Sequence, residues 1–312
     1  MSNQTQTARA GDAGSDPKKT TTESRAGETS GPSTIAPLSD KIGLGDSIRQ
    51  IDTIAGTEVR LAVRNRWAFA LVGLFAFFGM MLATFSGSPA GPSGLKRVLA
   101  SLASLSVYIV PLAALAFGYD AIVGREEEGW LAVVVALPTS RSTVVAGTFF
   151  GRAVMLSISV LAGFGIVAGL LVREYGFVQL YGLAAFLLGA VMLGAAFLAL
   201  AVLVSTVAPG KTHALGVSLL LWVWFVLVHD LIALGLVAAL SLSETALTAL
   251  VLANPASVFR VLVLGALEAS GGGFAAAMAA TDLSMGLLAL VMICWALLPV
   301  GLASIAIRRR RL

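Results

Sequence analysis

From residue 67 onward the chain is a succession of apolar runs separated by polar joints, most of them short and two of them long. A helix crossing a bilayer needs roughly 20 predominantly apolar residues. On that requirement six spans are expected, at 67–85, 98–118, 153–172, 177–208, 214–242 and 283–307. The fourth run exceeds one crossing, so it is expected to tilt or to project beyond the membrane. Trp67 opens the first span, at the interface where amphipathic aromatic rings settle. The pattern therefore predicts an all-α integral membrane protein with six transmembrane helices.

Ahead of the spans the pattern changes twice. Residues 1–44 are rich in Thr, Ser, Gly and scattered charge. Such a segment cannot bury enough apolar surface to offset its ordering entropy, so it reads as a disordered tail. Over 45–66, Ile48, Ile51, Ala55, Val59 and Ala62 recur at helical spacing on one face, with Arg49, Asp52, Arg60 and Arg64 off it. Ser47 suits the N-cap position. This predicts an amphipathic helix lying in the membrane interface, leading into a six-span transmembrane domain over 67–312. The two long joints are 119–152 and 243–282. The second holds two moderately apolar pieces, 245–252 and 261–267, too short to span and expected to be re-entrant or interfacial. Gly271, Gly272 and Gly273 join them to the last span.

Composition agrees with this picture. Of 312 residues, 57% are hydrophobic and only 12% charged, with a mean hydropathy of +0.90, whereas soluble domains run near a quarter charged. The lone Cys294 excludes an internal disulfide and a cysteine-based zinc site. The first 66 residues lack an apolar leader core, so the first span is expected to act as an uncleaved insertion signal. Lys and Arg concentrate on one side: nine precede Trp67, three lie in 119–152, and Lys211 and Arg308 to Arg311 follow, whereas only Lys96, Arg97, Arg173 and Arg260 lie on the other. Positive charge stays inside. The protein is expected in the cell membrane, multi-pass, with both termini cytoplasmic.

Few candidate chemistries survive inspection. Pro209-Gly210-Lys211-Thr212 resembles the end of a phosphate-binding loop, but Ser205 stands where its first glycine belongs and a membrane helix precedes it. Glu127 and Glu128 lack the arginine that a paired-glutamate intramembrane protease would place after them; Leu131 and Ala132 stand there. Met278, Met285, Met292 and Cys294 offer soft ligands for copper(I). Met also fills apolar gaps, and residues two apart on a helix face nearly opposite sides. No metal, cofactor or nucleic acid is expected. The glycines at 163, 165, 169, 189 and 194 suit close helix packing. His229 and Asp230 lie deep in the fifth span, where an ionisable group costs roughly 2.5–3.5 kcal/mol on insertion scales. Two readings stand for them: an interhelical bond fixing packing or a dimer seam, or a proton or cation relay.

The 119–152 joint is far longer than a turn requires. It carries Arg125-Glu126-Glu127-Glu128-Gly129, then Leu137-Pro138-Thr139-Ser140-Arg141, then Gly147-Thr148-Phe149-Phe150-Gly151-Arg152. This series resembles the first cytoplasmic loop of ABC type-2 permeases, with Trp130 where Thr is usual and Thr148 where Lys is usual. The run from Glu58 to Trp67 is similar to that family's amphipathic lead-in. Trp224 to Leu236, and Asn254-Pro255-Ala256-Ser257-Val258-Phe259-Arg260, resemble the fifth span and outer loop of its NosY-like branch, which includes the permease of a nitrous-oxide-reductase copper-maturation transporter. The resemblance covers about residues 55 to 307. It implies a homodimer working with two copies of a separate ATPase subunit, the loop docking into that subunit and transmitting its closure.

On that resemblance Arg125, Glu126, Glu127, Glu128, Gly129, Leu131, Leu137, Pro138 and Arg141 would be the coupling residues. His229 and Asp230 would be intramembrane polar residues. Asn254, Pro255 and Arg260 would serve an outer gate or an extracytoplasmic partner. The expected function is the non-catalytic membrane subunit of an ATP-driven transporter. The alternatives are a mechanotransmitter acting on an extracytoplasmic metal-cofactor maturation partner, with no substrate crossing, and a free-standing ion-coupled carrier relying on Asp230.

Overall fold

The computed structural model describes residues 44–64, 66–85, 92–129, 141–177, 180–240, 243–267 and 283–309, all within one unit, Ile42–Leu312. The expected tail, Leu131, Leu137, Pro138 and the glycines at 271–273 lie outside the described residues. Ten helices are described: α1 (Leu44–Arg64), α2 (Trp67–Phe85), α3 (Pro92–Gly118), α4 (Val123–Glu127), α5 (Arg141–Tyr175), α6 (Leu180–Val207), α7 (Lys211–Ala239), α8 (Glu244–Leu252), α9 (Pro255–Ala266) and α10 (Met285–Arg309). Six helical segments are long and apolar enough to cross a membrane: α2, α3 continuing into α4, α5, α6, α7 and α10. No strand occurs among the described residues.

The central helix is α6, which packs against α3, α5, α9 and α10. Gly189, Ala190, Gly194, Ala196, Ala199 and Ala201 are buried along it. Small residues matter here because lipid is as apolar as a leucine side chain, so helices associate through close packing more than through exclusion from water. The outer helices expose large apolar side chains, such as Phe77 on α2, Leu220 and Leu231 on α7 and Leu298 on α10, as a lipid-facing surface requires. Pro111 lies within the continuous helix α3, and one turn before it the Trp222 indole of α7 donates to the Tyr108 carbonyl at 3.0 Å.

The bounds of two elements need correction. The pattern assigns 141–152 to the loop, but these residues form the first three turns of α5, which runs unbroken from Arg141. The reason is α1. Its apolar face, expected in the membrane interface, is laid along this part of α5. A Cβ on Gly151 would lie 2.5 Å from the Glu58 Cβ and 2.7 Å from the Ala55 carbonyl; one on Gly147 would lie 2.7 Å from the Ile54 Cβ. The absence of side chains at these two positions sets the approach of the helices. Gly151→Leu is therefore expected to pry α1 from α5 and destabilise the fold by about 1–3 kcal/mol, the range for overpacking. Gly169→Leu, where a Cβ meets nothing within 4 Å, is the matched control. Unfolding in detergent should separate the two variants.

Between the fifth and last spans lie α8 and α9, bent 110° to each other. Ser243 caps α8 through the Ala246 amide at 3.3 Å. The second piece, expected at 261–267, begins six residues earlier. Asn254 is its N-cap, accepting from the Ala256 amide at 2.9 Å, and Pro255 occupies the first turn, where its missing N–H costs nothing. A search for apolar residues alone passes over this capping signal.

Candidate functional site

The acidic turn of the long joint begins where α3 ends. Gly118 passes so close to α6 that a Cβ there would lie 2.5 Å from the Ala201 Cβ. The chain then turns and forms the single short helix α4. This helix has no side-chain cap of its own. The amides of Ile122 and Val123 instead both donate to the Ser205 hydroxyl of α6, at 2.9 and 3.1 Å. A buried serine on a neighbouring helix thus satisfies backbone donors that would otherwise be stranded.

From α4 the Arg125 side chain turns inward and is only 14% exposed. It forms an ion pair with Glu58 of α1 and donates to the Thr148 hydroxyl of α5 at 3.1 Å. A second guanidinium, Arg152 of α5, lies 2.8 Å from Asp120 and 3.6 Å from the same Glu58. Arg152 also donates to the Phe117 carbonyl and stands over the Phe117 ring, 5.4 Å from its centroid. The Glu58 carboxylate, 6% exposed, therefore sits between two cations. With Asp120 the four charges sum to zero. Their pairing offsets the penalty of removing them from water, and that offset depends on every member being present. A cavity of about 300 Å³ adjoins the cluster, lined among others by Glu58, Trp67, Asp120, Arg125 and Arg152.

The other side of the turn meets the start of α7. Gly210, the N-cap of that helix, has no side chain to accept from its free amides. The Glu127 carboxylate does so instead, 2.8 Å from the Lys211 backbone nitrogen. A carboxylate in this position also complements the positive end of the helix dipole. The Lys211 ammonium pairs with Glu128 at 3.1 Å. Gly124 makes room, since a Cβ there would lie 2.8 Å from the lysine Cε. The Pro-Gly-Lys-Thr fragment is thus a helix start that receives the acidic turn. At the other end of the chain, Arg308 of α10 donates to Ser142 of α5 at 3.3 Å.

The expected coupling residues divide accordingly. Arg125, Glu126 and Glu127 lie on α4, Glu128 is its C-cap, and Gly129 follows with φ +73°, a left-handed conformation open to glycine. Arg141 opens α5. Residues missed by sequence reasoning are Glu58, Thr148, Ser205 and Lys211. Glu58 did carry a signal: it falls on the apolar face of α1, where an acid needs a buried partner. Thr148, a departure from the expected lysine, is buried and accepts from Arg125. A lysine here would place a further cation beside that guanidinium.

A second polar cluster lies in the membrane-spanning part. Trp224–Val228 forms one π turn within α7, and such a turn leaves its carbonyls imperfectly matched. The Asn254 amide, buried at the head of α9, donates to the Phe225 carbonyl there at 2.7 Å. The Phe225 ring meets Phe197 and Trp295 edge-on, at 5.9 and 5.6 Å between centroids. The Trp295 indole donates to the Leu252 carbonyl at the end of α8, at 3.1 Å. Immediately beyond the π turn, Asp230 forms an ion pair with Arg260 of α9.

This pairing bears on two expectations. Asp230 has a basic partner in Arg260, an arginine that the sequence pattern places in the outer connection. Asn254 and Pro255 are buried, as are Ala256 to Phe259: Asn254 is bonded to α7 and Phe259 lies against Gly189 of α6, so these side chains are taken up within the chain. His229 is buried with its Nδ1 3.9 Å from the Asp230 carboxylate, beyond hydrogen-bond reach. Met292 is buried while Cys294 is exposed, so those two do not converge. Met278 lies outside the described residues. Among the described residues no group of three or more His, Cys, Asp or Glu is placed to hold a metal ion.

Residues 53–311 fit the family model described as ABC-2 family transporter protein. The chain belongs to the ABC-2 transporter family. It is similar to two curated proteins named as probable ABC transporter permease protein NosY. The one from Pseudomonas aeruginosa is 35% identical over 272 residues, covering 83% of this chain and 98% of that one. The one from Stutzerimonas stutzeri is 34% identical over 277 residues, covering 84% and 99%. This ABC-2 protein is accordingly a multi-pass membrane permease, a kind of subunit that is not itself catalytic and that works with an ATPase.

Proposed function

We propose that this permease is the membrane subunit of an ATP-driven transporter, in which the segment from Arg125 to Arg141 receives the closure of a separate ATPase subunit. Two protomers would work with two ATPase copies, with both termini on the ATPase side. The single observation that carries the reading is the bracing of α4. It is joined to α1 and α5 through Arg125, to α6 through Ser205, and to α7 through Glu127 and Glu128. A push on this turn therefore reaches four helices directly. A partner shifts a conformational equilibrium only through contacts that differ between the states, and a firmly braced lever delivers such differences without yielding itself. The concentration of Lys and Arg on the same side supports the orientation.

Exposed Glu128 and the left-handed Gly129 are the test. In a reconstituted complex, Glu128→Ala and Gly129→Val are expected to leave membrane insertion intact and ATP hydrolysis running, while transport per ATP falls. The valine must also adopt a conformation that costs an L-residue roughly 1–2 kcal/mol. Unchanged transport per ATP in both variants would remove this segment from the coupling path.

A further inference from the structure

At the end of the bundle away from α1, helices α2 and α5 border a space that coupling does not use. The two helices run parallel and meet closely along most of their shared length. A Cβ on Gly163 would lie 2.6 Å from the Phe75 Cβ, and one on Gly79 would lie 2.8 Å from Val167. One turn further on, that register would seat Ala83 against Leu171. Beside this level lies a cavity of about 670 Å³, with Met80, Ala83, Val167, Leu170 and Leu171 on its walls and Thr84, Arg173, Glu174 and Tyr175 also lining it.

The cavity is lined by apolar side chains on one part and polar ones on another, as a lipid with an acyl chain and a headgroup requires. The charged pair beside them is Arg173 and Glu174, both exposed and without an ion pair or hydrogen bond among the described residues. α5 also ends at this level, at Tyr175, and the negative end of its dipole adds partial negative charge. The site therefore presents one guanidinium for a phosphate, and a carboxylate with helix carbonyls for a cationic donor.

We infer that this cavity is a binding site for one phospholipid with a primary-amine zwitterionic headgroup, of the phosphatidylethanolamine type. One of its two acyl chains lies along the apolar side chains of the cavity, its phosphate pairs with Arg173 and its ammonium with Glu174. Guanidinium groups suit phosphate because they present paired donors in a plane. A phosphatidylcholine headgroup has the same charges but no N–H to donate to Glu174. A phosphatidylglycerol headgroup meets the carboxylate with no cation. The inference is independent of the coupling role proposed above.

The test is native mass spectrometry of the full-length permease, purified with the subunits that accompany it, stripped of lipid and titrated with each of these three lipids. One phosphatidylethanolamine per chain is expected, with affinity at least about tenfold above the other two, the effect of one hydrogen bond to a charged group. Glu174→Gln should reduce it to the level of phosphatidylcholine, and Arg173→Ala should weaken binding of all three. Both residues are exposed at a helix end, so neither substitution threatens folding. Ala83→Phe, which fills the cavity, should block binding with both charges in place. Equal binding of the three lipids, or undiminished phosphatidylethanolamine binding in the Arg173→Ala and Glu174→Gln variants, would overturn the assignment.

Discussion

Glu58→Ala is expected to destabilise the permease by about 3–5 kcal/mol, the loss that follows when one partner of a buried ionic cluster is removed. The substitution leaves Arg125 and Arg152 close together at 14% and 13% exposure with no carboxylate between them. Asp120 remains beside Arg152 and Thr148 beside Arg125, but a hydroxyl does not neutralise a guanidinium. α1 loses its ionic tie to the turn, so transport per ATP should fall along with stability. Glu58→Gln keeps the shape and loses the charge, and should lie between alanine and wild type. Equilibrium unfolding in detergent, paired with the reconstituted ATPase assay, checks both parts. A loss below about 0.5 kcal/mol, the size of an ordinary surface substitution, would show that the cluster does not hold α1 in place.

Asp230→Ala should cost roughly 2.5–3.5 kcal/mol, because it leaves Arg260 charged and unpaired at membrane depth. Arg260→Ala should be comparably harmful by stranding the acid. The double variant is the decisive measurement. With both charges gone nothing is left stranded, so its loss should be well below the sum of the two single losses, with an interaction energy above about 1 kcal/mol in the cycle. Strictly additive losses would mean that the ion pair contributes nothing to the fit of α9 against α7.

The spans were legible in the amino-acid sequence because lipid leaves so little choice: the backbone must bond to itself along a long apolar run. Trp67 to Phe85 stands in the structure with the bounds that the hydropathy pattern assigns. The acidic turn was legible through its charge and its likeness to a family. What escaped were contacts between residues distant in the chain. Periodicity assigns Glu58 to a helix face but cannot say that Arg125 and Arg152 will meet there. The same blindness placed 141–152 in a loop, since only the presence of α1 explains why Gly147 and Gly151 belong within a helix. Arg260 was read by its position between spans, as an outer charge, when its partner lay 30 positions earlier.

The π turn at Trp224–Val228 has one more consequence. Such a turn is equivalent to inserting one residue into an α-helix, and each residue advances the helix by about 100°. Beyond it, every side chain of α7 stands out of phase with the wheel drawn from Lys211. Trp222 and Asp230, eight residues apart, would stand about 80° apart on an unbroken helix, and the extra residue brings them to within about 20°. One face of the span thus meets both α3, through Trp222, and Arg260 of α9, through Asp230, and α3 and α9 pack on each other.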